Sequence, residues 1–436
     1  MAGEWQTLSL ADVYDFSSGL SKPRSEFGSG HPFLSFKDVF YNSAVPKQLT
    51  DLVQSTERER ARCSVRRGDV FLTRTSETMD ELGMSSVALA DIPDATFNGF
   101  TKRLRPKRKL IAPGFARYFF RSSVFRAAVN SMATMSTRAS LNNEMLERLT
   151  IAFPGYPEQE AIAHILGTLD DKIELNRRRN QTLEAMARAL FKDWFVDFGP
   201  VRAKMGGQEP YLPADLWQLF PDRLDDEGKP EGWRRSTIGG EGTVCGGSTP
   251  STKEPAFWEG GEHHWATPKD LSALTFPVLL DTDRKITDAA LAKISSGLLP
   301  VGTVLLSSRA PIGYLAIAEV PTAINQGFIA MKCNGALPNV FVLFWCRENM
   351  DVILGNANGS TFQEISKSNF RPIPVIVPPE LILNAFRERT GPVYRHIVEN
   401  ERESRSLAQL RDTLLPKLIS GELRIKDAEK FLEDVA

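Results

Sequence analysis

Apolar residues recur at seven-residue intervals along residues 162–194 of this chain. This interval is typical of a long helix that buries one seam against a partner helix. A polar asparagine takes the middle position of the series, and such a residue fixes register and partner at some cost in stability. The pattern predicts a helix about 50 Å long, at 1.5 Å per residue. The seam residues are Ile162, Leu169, Asn176, Leu183 and Leu190.

The same seam occurs a second time, 224 residues further along the chain. Asparagine again takes the middle position, so the two copies agree in their polar residue as well as in their spacing. The alignment at this offset also places Leu141 on Ile365 and Pro154 on Pro378. A repeat of this length indicates a tandem duplication. The residues of the second seam are Phe386, Val393, Asn400, Leu407 and Leu414.

Earlier in the chain the offset between the two copies drifts, as loops of unequal length would require. The matched positions are Trp5 and Gly19 with Trp233 and Gly247, Lys37-Asp38 with Lys269-Asp270, and Gly99-Phe100 with Gly327-Phe328. The duplication therefore extends over the regions that precede both helices.

Two long amphipathic helices in one chain are expected to bury their seams against each other. We predict an α+β fold with two domains of mixed α/β type in tandem duplication. Two long helices separate them and pair as an antiparallel coiled coil with pseudo-twofold symmetry. The alternative is that each helix packs only on its own domain, and the recurrence of Asn176 as Asn400 argues against it.

The pattern divides the chain into six parts. Residues 199–232 are rich in Pro, Gly and Asp without a sustained period, which predicts a linker. Gly391-Pro392 predicts a break in the second helix, because proline disrupts a helix interior. The predicted parts are a first domain (1–156), the first helix (157–198), the linker (199–232), a second domain (233–379), the second helix (380–425) and a tail (426–436).

Composition is that of an ordinary globular protein, with 42% hydrophobic and 25% charged residues. No apolar run approaches the roughly 18 residues that a membrane span needs, and the N-terminus lacks a signal peptide's apolar core. The four cysteines form no C-x-x-C pair, so neither a disulfide framework nor a zinc site is expected. These features predict a cytoplasmic protein without a membrane partner.

Signatures of catalysis are absent from the sequence. There is no phosphate-binding G-x-x-x-x-G-K-[ST] and no G-x-G-x-x-G. Glu227-Gly228-Lys229 matches a nuclease E-x-K only superficially, beside Pro230 in the predicted linker. His263-His264 has no carboxylate or cysteine at ligand spacing, so no metal site is expected. An Asn-Pro-Pro-Tyr motif of amino-methylating enzymes is also missing, and the chain is predicted to be non-catalytic.

A duplicated polar surface suits an extended ligand with twofold character, and DNA half-sites one helical turn apart lie about 34 Å from each other. Hydroxyls, amides and cationic side chains on loops are the groups that reach phosphates and base edges. An ordinary loop or cap residue is the alternative at each position. The candidates are Lys37, Arg74, Ser136, Thr137, Arg138, Asn142 and Asn143 in the first half. In the second half they are Lys269, Arg309 (placed near Arg74 by the repeat), Gln326, Ser360, Thr361, Gln363 and Lys367.

The net charge of −1 is an average over unlike regions, since the first 150 residues carry a basic excess and the remainder an acidic one. The run at 102–109 is the most basic stretch, and Lys102, Arg103 and Arg105 are candidates to neutralise phosphates. Its counterpart near Lys332 is not basic. A solvated strand edge is the competing interpretation of this run.

Two segments resemble a known family. ILGTLDDKIELNRRRNQTLEAMARALFKDWFVDF (165–198) resembles the central conserved region of the specificity subunit of type I restriction–modification systems. LLPKLISGELRI (414–425) resembles its distal conserved region, and the run Ile324–Phe328 adds weak support. The resemblance covers the whole layout, with two target-recognition domains that are each followed by a conserved helix.

This resemblance implies a DNA-recognition subunit without a cofactor of its own. Each target-recognition domain would read one half of a split sequence in double-stranded DNA, and the paired helices would set the unread spacer. Two modification subunits, which bind S-adenosylmethionine and methylate adenine, would dock on the chain, and restriction subunits that hydrolyse ATP would join through them.

Two other functions remain open from the residues. A coiled-coil scaffold with two protein-binding domains would bind independently of DNA sequence and of salt, whereas phosphate contacts weaken with salt. An autonomous nuclease or methyltransferase would act without partners, and the missing motifs argue against it.

Overall fold

A computed structural model describes residues 5–76, 81–132, 139–359, 363–425 and 427–428. The chain divides into two compact units. The first consists of Met1–Ile173 with Arg405–Ala436, and the second of Glu174–Ser404. This division differs from the predicted one, because each long helix is shared between the units rather than forming a separate part.

The first unit contains short strands and helices, followed by the beginning of the first long helix. In chain order they are β1 (Gln6–Ser9), α1 (Leu10–Val13), β2 (Tyr14–Ser18), a 3-10 turn (Arg24–Glu26), β3 (Phe27–Leu34), α2 (Phe36–Tyr41), β4 (Leu52–Val53), α3 (Glu57–Arg62), β5 (Val70–Thr73), β6 (Thr75–Ser76), β7 (Ser85–Val87), β8 (Thr96–Phe97), β9 (Thr101–Pro106), α4 (Pro113–Phe119), α5 (Ser123–Met132), β10 (Ala139–Ser140), α6 (Asn143–Arg148), β11 (Thr150–Phe153) and α7 (Tyr156–Phe195).

These strands form one main sheet and three smaller ones. The main sheet is antiparallel with the order β2-β9-β5-β7, and a second sheet has the order β4-β3-β8, in which β3 and β8 are parallel. β1 pairs with β11, and β6 with β10. The main sheet is the core layer of the unit, because β5 consists of Val, Phe, Leu and Thr and is buried along its whole length.

The second unit repeats this composition of elements. In chain order they are α8 (Gly199–Met205), α9 (Ala214–Trp217), β12 (Arg234–Thr237), β13 (Thr243–Cys245), a 3-10 turn (Pro255–Phe257), β14 (His263–Ala266), α10 (Pro268–Ser272), β15 (Val278–Leu279), β16 (Arg284–Ile286), α11 (Asp288–Leu291), β17 (Val304–Ser308), β18 (Ile312–Ala318), β19 (Thr322–Ile324), β20 (Phe328–Lys332), α12 (Asn339–Glu348), α13 (Met350–Gly355), α14 (Lys367–Phe370), β21 (Pro374–Val377) and α15 (Glu380–Ser420).

The strand orders of the two units correspond. The main sheet of the second unit has the order β13-β20-β17-β18-β15, which is that of the first unit with one added strand. The second sheet, β16-β14-β19, again contains a parallel pair, β14 with β19, and β12 pairs with β21 as β1 does with β11. The predicted fold class is confirmed: two mixed α/β domains arose by duplication and are accompanied by two long helices.

Gly19 and Gly247 recur because the chain passes very close to a neighbouring turn at both places. A Cβ on Gly19 would lie 2.2 Å from the Phe97 carbonyl oxygen, and one on Gly247 would lie 1.8 Å from that of Ile324. Any side chain would collide with backbone there. The repeated glycine is therefore a requirement of the fold rather than a mark of function.

The second long helix is unbroken. α15 continues through Gly391 and Pro392, so the predicted break is wrong. A proline in a helix interior costs about 3 kcal/mol. The helix tolerates this cost because it buries Phe386, Ile397 and Val398, each worth roughly 1.5–3 kcal/mol when fully buried.

The prediction of a linker at 199–232 without regular structure is also wrong. α8 and α9 lie in this segment, and its residues Val201, Leu216 and Phe220 are buried in the core of the second unit. The high content of Pro, Gly and Asp concealed these three anchors, because isolated apolar residues in such a segment give no helical period. The segment is fixed to the end of α7.

The second helix ends earlier than predicted, at Ser420. Gly421 follows with φ +77°, the left-handed conformation that commonly terminates helices. A Cβ on Gly421 would lie 2.8 Å from Trp5 Nε1, and Ala428 is fully buried. The described part of the C-terminal segment therefore packs into the core of the first unit and is not a free tail.

Candidate nucleic-acid interface

Most of the predicted polar candidates are exposed and lie where strands or short helices end or begin. None of them is brought into a catalytic arrangement among the described residues. The exposed candidates are Lys37, Arg74, Asn142, Asn143, Lys269, Gln326, Gln363 and Lys367. Five further candidates, Ser136, Thr137, Arg138, Ser360 and Thr361, lie outside the described residues.

The repeated Lys-Asp pair has two separate roles. Asp38 and Asp270 close capping boxes at the starts of α2 and α10, each accepting a 2.7 Å hydrogen bond from the cap hydroxyl of Ser35 or Thr267. The aspartates are therefore structural. The lysines beside them, at 37 and 269, remain exposed and stay candidate phosphate contacts, although Lys269 Nζ lies 3.5 Å from an Asp283 carboxylate oxygen.

A turn shared by both units corrects the sequence alignment by one residue. Phe100 N donates to Asn98 Oδ1 over 2.7 Å, and Gly327 N donates to Asn325 Oδ1 over 2.8 Å. The structural counterpart of Gln326 is therefore Gly99. Gln326 is exposed and its Oε1 accepts a hydrogen bond from Thr249 Oγ1, so the second unit presents an amide where the first has no side chain.

Arg74 and Arg309 are likewise not equivalent. Leu141 N donates to the Arg74 carbonyl over 2.8 Å, and Ile365 N donates to that of Ser308 over 3.0 Å, so Ser308 is the counterpart of Arg74. Arg309 follows it and lies 3.6 Å from a Glu364 carboxylate oxygen. The second unit therefore has a neutral hydroxyl at the position of the exposed Arg74.

The first part of the basic run at 102–109 belongs to an interior strand, not to an edge. β9 ends at Pro106 and lies between β2 and β5, which excludes the solvated-edge interpretation for Lys102, Arg103 and Arg105. Residues 107–109 follow the strand and are exposed. Arg103 is buried and donates to the carbonyls of Arg62 and Ser64, while Arg105 Nη2 and Nε bind the two Asp69 carboxylate oxygens at 2.6 and 2.8 Å. The prediction of phosphate contacts is corrected for these two arginines, because Arg103 is buried in the domain and the guanidinium of Arg105 is paired with Asp69.

Lys102 differs from its neighbours in the run. Its Nζ donates to Asn143 Oδ1 over 2.7 Å and to Ser18 Oγ over 3.1 Å, and both acceptors belong to exposed residues. Burial lowers the pKa of the Lys102 ammonium, and the charge of Arg74 lowers it further. The structure thus brings together three candidates that are distant in sequence: Lys102, Asn143 and Arg74.

The apolar seam residues all belong to hydrophobic cores or pack against them, and the two seam asparagines are buried. Those that are buried are Ile162, Leu169, Asn176, Phe386, Asn400 and Leu414. Those that are partly buried and pack against a core are Leu183, Leu190, Val393 and Leu407.

A buried polar cluster joins the two helices in the second unit. Asn176 Nδ2 donates to Glu403 Oε2 over 2.6 Å and to Ser404 Oγ over 3.3 Å. Asn400 Nδ2 donates to Asn180 Oδ1 over 2.8 Å. Ascending numbers on α7 meet descending numbers on α15, so the helices are antiparallel here.

Sequence reasoning missed Asn180, which is fully buried in this cluster. Its Nδ2 donates to Glu401 Oε1 over 2.8 Å, and burial raises the pKa of that carboxyl group. Asn180 follows Asn176 by one helical turn, and its counterpart at the 224-residue offset is Ser404. A second polar position one turn after the first, in both copies, was the signal available in the sequence.

The cluster has the predicted pseudo-twofold symmetry. Under the 224-residue offset, Asn176 corresponds to Asn400 and Asn180 to Ser404. The contact of Asn176 with Ser404 is therefore the counterpart of that between Asn180 and Asn400. A local twofold axis passes between these two contacts.

In the first unit, one carboxylate connects the domain to both helices. Asp170 Oδ2 on α7 accepts from Arg117 Nη2 over 2.8 Å and from Tyr118 Oη over 2.7 Å, and both donors lie on α4. Its Oδ1 accepts from Arg411 Nη1 on α15 over 2.8 Å. In the second unit, Glu184 on α7 lies 2.6 Å from Arg347 and connects that helix to α12.

Asp170→Asn is expected to lower the free energy of unfolding by about 1–3 kcal/mol, because two partly buried arginines lose their counter-charge. Thermal unfolding of the full chain measures the effect. Asp171→Asn is the matched control, since Asp171 is exposed and should change stability by no more than about 0.5 kcal/mol. Equal melting temperatures for both variants would contradict the joining role of Asp170.

Neither a metal-binding cluster nor a membrane-spanning helix occurs among the described residues. They contain no group of three or more His, Cys, Asp or Glu side chains that could hold a metal ion. Within the same part of the chain, no helix is both long and apolar enough to cross a membrane. His263 contacts Asp288 at 2.7 Å, which is a pair and not a metal ligand set.

The chain is similar in sequence to known proteins. The family model described as "Type I restriction modification DNA specificity domain" matches residues 2–185 and 230–381. The type I restriction enzyme MjaIX specificity subunit of Methanocaldococcus jannaschii is 25% identical over 441 residues, covering 97% of this chain and 94% of that protein. The HindI specificity subunit of Haemophilus influenzae is 24% identical over 477 residues, covering 96% and 100%.

A solved structure shares the fold. The crystal structure of a type I restriction–modification system S subunit from M. genitalium superposes with a TM-score of 0.56 at 15% identity, covering 95% of this chain and 96% of that chain. At this identity the likeness concerns the fold alone.

Proposed function

The chain belongs to the type I restriction–modification DNA specificity family, and we propose that it is the subunit that gives such a complex its DNA sequence specificity. Each of the two domains, at residues 1–156 and 233–379, reads one half of a split site. The chain itself is a recognition subunit and carries out no catalytic step. It requires no cofactor, because S-adenosylmethionine binds to the methylating partner.

One observation carries this proposal: the same sheet topology occurs twice on a single antiparallel helix pair. Two copies of one reader in a single chain suit duplex DNA, whose two strands are related by twofold symmetry. Side chains at equivalent surface positions differ between the copies, as at Gln326 and Gly99, so the two readers recognise different sequences. The site is therefore split and asymmetric.

The paired helices set the distance between the two readings. A helix of 40 residues, such as α7, is about 60 Å long. The polar cluster around Asn176 and Asn400 fixes its register against α15, and a fixed register gives a fixed spacer. Two modification subunits dock on this chain, and restriction subunits join where present. The proposal places the chain in the cytoplasm, where the DNA it reads is found.

The test is methylome sequencing of cells that express this chain with its modification partner. The proposal expects one bipartite motif with a constant spacer. A coiled-coil scaffold without DNA recognition would give no motif that depends on this chain. Cells expressing the modification partner alone are the control, and an identical motif in those cells would contradict the proposal.

A further inference from the structure

The main sheet of each unit has a lysine ammonium close to the same strand end, which is the C-terminal end of β2 in the first unit and of β13 in the second. The positions correspond by register: Ser17 pairs with Arg103 in the first unit, and Cys245 pairs with Ala330 in the second. The next residues, Ser18 and Gly246, are therefore equivalent. We call the surroundings of these two residues the strand-end sites.

In the first unit, the ammonium at the strand-end site comes from β9. Lys102 has 8% of its surface exposed, and its Nζ is held by Ser18 Oγ and Asn143 Oδ1. Both holders are neutral and exposed, so the charge lies immediately beneath the surface. It is held in one place rather than at the end of a mobile chain, as most surface lysines are.

In the second unit, the ammonium comes from the start of α14. A Cβ on Gly246 would lie 3.3 Å from Lys367 Nζ and 3.4 Å from its Cδ, so the lysine lies directly over this strand end. Glycine leaves the room that the lysine stem occupies. Where the first unit has a serine that binds the ammonium, the second has a glycine that makes space for one.

The two lysines are not counterparts in the sequence. Leu72 pairs with Lys102 and Leu306 with Ile329, so the residue equivalent to Lys102 is Ile329. Lys367 is instead the counterpart of Asn143 at the 224-residue offset. A positive charge therefore lies at the equivalent place in both units, although it belongs to β9 in the first unit and to α14 in the second. A charge that is preserved in this way has a role that depends on location.

Neither ammonium has an acidic partner in the described part of the chain. No carboxylate there lies within 4.0 Å of Lys102 or Lys367, although many surface lysines and arginines of this protein are paired. Additional positive charge surrounds both sites. Besides burial, the positive charge of Arg74 lowers the pKa of the Lys102 ammonium. In the second unit, burial raises the pKa of the Cys245 thiol, and the charges of Lys332, Lys367 and Arg371 act to lower it. Such a site attracts an anion.

We propose that the two strand-end sites are a pair of phosphate clamps, each of which binds one backbone phosphate of a DNA half-site. The ligand class that we assign is a phosphodiester, because a lysine ammonium is a compact point charge that suits a phosphate. A lysine can also reach guanine O6 and N7, and a base contact of that kind would show as a loss of affinity on the specific sequence alone. This proposal rests on the proposed function. It adds that these lysines position the DNA for both readers without contributing to sequence choice.

The test compares salt dependence of DNA binding by the full chain in complex with its modification partner. Asn143→Asp places a carboxylate 2.7 Å from the Lys102 ammonium and neutralises it without removing it. Lys102→Met and Lys367→Met remove the charge from each site while keeping an unbranched side chain. Arg223→Met is the matched control, since Arg223 is 70% exposed in the 199–232 segment and pairs with Glu231.

Each of the three variants is expected to reduce the slope of log affinity against log salt by about 1, and the affinity at 0.1 M salt by roughly eightfold. The loss should be the same on specific and nonspecific DNA. The control should keep the wild-type slope. Should Lys102→Met fail to fold, Asn143→Asp still tests the first site, because Asn143 is exposed.

Two failures are distinguishable. Folded variants that keep the wild-type slope, or that lose affinity only on the specific sequence, would overturn the clamps and leave the recognition function intact. A wild-type complex that does not distinguish any sequence would instead overturn the proposed function.

Discussion

Trp194→Ala is expected to lower the free energy of unfolding of the second unit by about 3–5 kcal/mol, the range for truncating a large buried aromatic residue. Trp194 is fully buried and packs edge-on against Phe220 at a centroid distance of 5.1 Å. It also lies 6.3 Å from Phe386 of α15. The cavity would therefore loosen the end of α7, the second helix and the 199–232 segment together.

Chemical denaturation followed by far-UV circular dichroism measures this loss. Trp217→Ala is the matched control in the same unit, because Trp217 is half-buried and packs mainly on Tyr211 at 5.6 Å. We expect the control to cost about 1 kcal/mol or less. If both variants unfolded at the same denaturant concentration, the anchoring of the 199–232 segment at Trp194 would be wrong.

Asn180→Leu is expected to lower the free energy of unfolding by about 2–3 kcal/mol. Replacing a simple polar seam residue by leucine often has the opposite effect and stabilises a coiled coil. The difference arises from its partners. Asn180 binds the partly buried Glu401 carboxylate and the buried Asn400 amide, and leucine would remove this partner from both. The penalty for unpaired buried polar groups exceeds the gain from a buried leucine side chain.

Gln181→Leu is the control for this substitution, because Gln181 is the exposed neighbour of Asn180 on α7. It should change stability by no more than about 0.5 kcal/mol. Adding Asn400→Leu to Asn180→Leu should recover part of the loss, since it removes one of the stranded amides. A stabilised Asn180→Leu chain would contradict a role for the polar cluster in holding the helix pair.

The sequence predicted the parts of the fold that depend on periodicity. The heptad seam and its recurrence located both helices, because a buried face imposes its spacing on every turn. Asn176 and Asn400 were visible for the same reason. The packing of residues 199–232 against the core could not be predicted. Leu216 and Phe220 are single anchors there, and isolated apolar residues have no period.

The candidate interface was predicted less completely, for a physical reason that Lys102 illustrates. The sequence shows that a run is basic, but not which of its charges are used internally. Arg103 and Arg105 are bound within the domain, whereas Lys102 is held without an acid. The correspondence of Lys102 with Lys367 could not be found by alignment, since the two residues occupy different elements. Only the strand register brings them to one place.

The central claim is that two separate readers on one helix pair recognise two halves of a DNA site. The most direct measurement is the methylome of cells expressing a chain whose residues 233–379 are replaced by those of a relative with a different site. We expect one half of the bipartite motif to change while the other half and the spacer remain. A motif that changes in both halves, or one that is continuous from the outset, would contradict it.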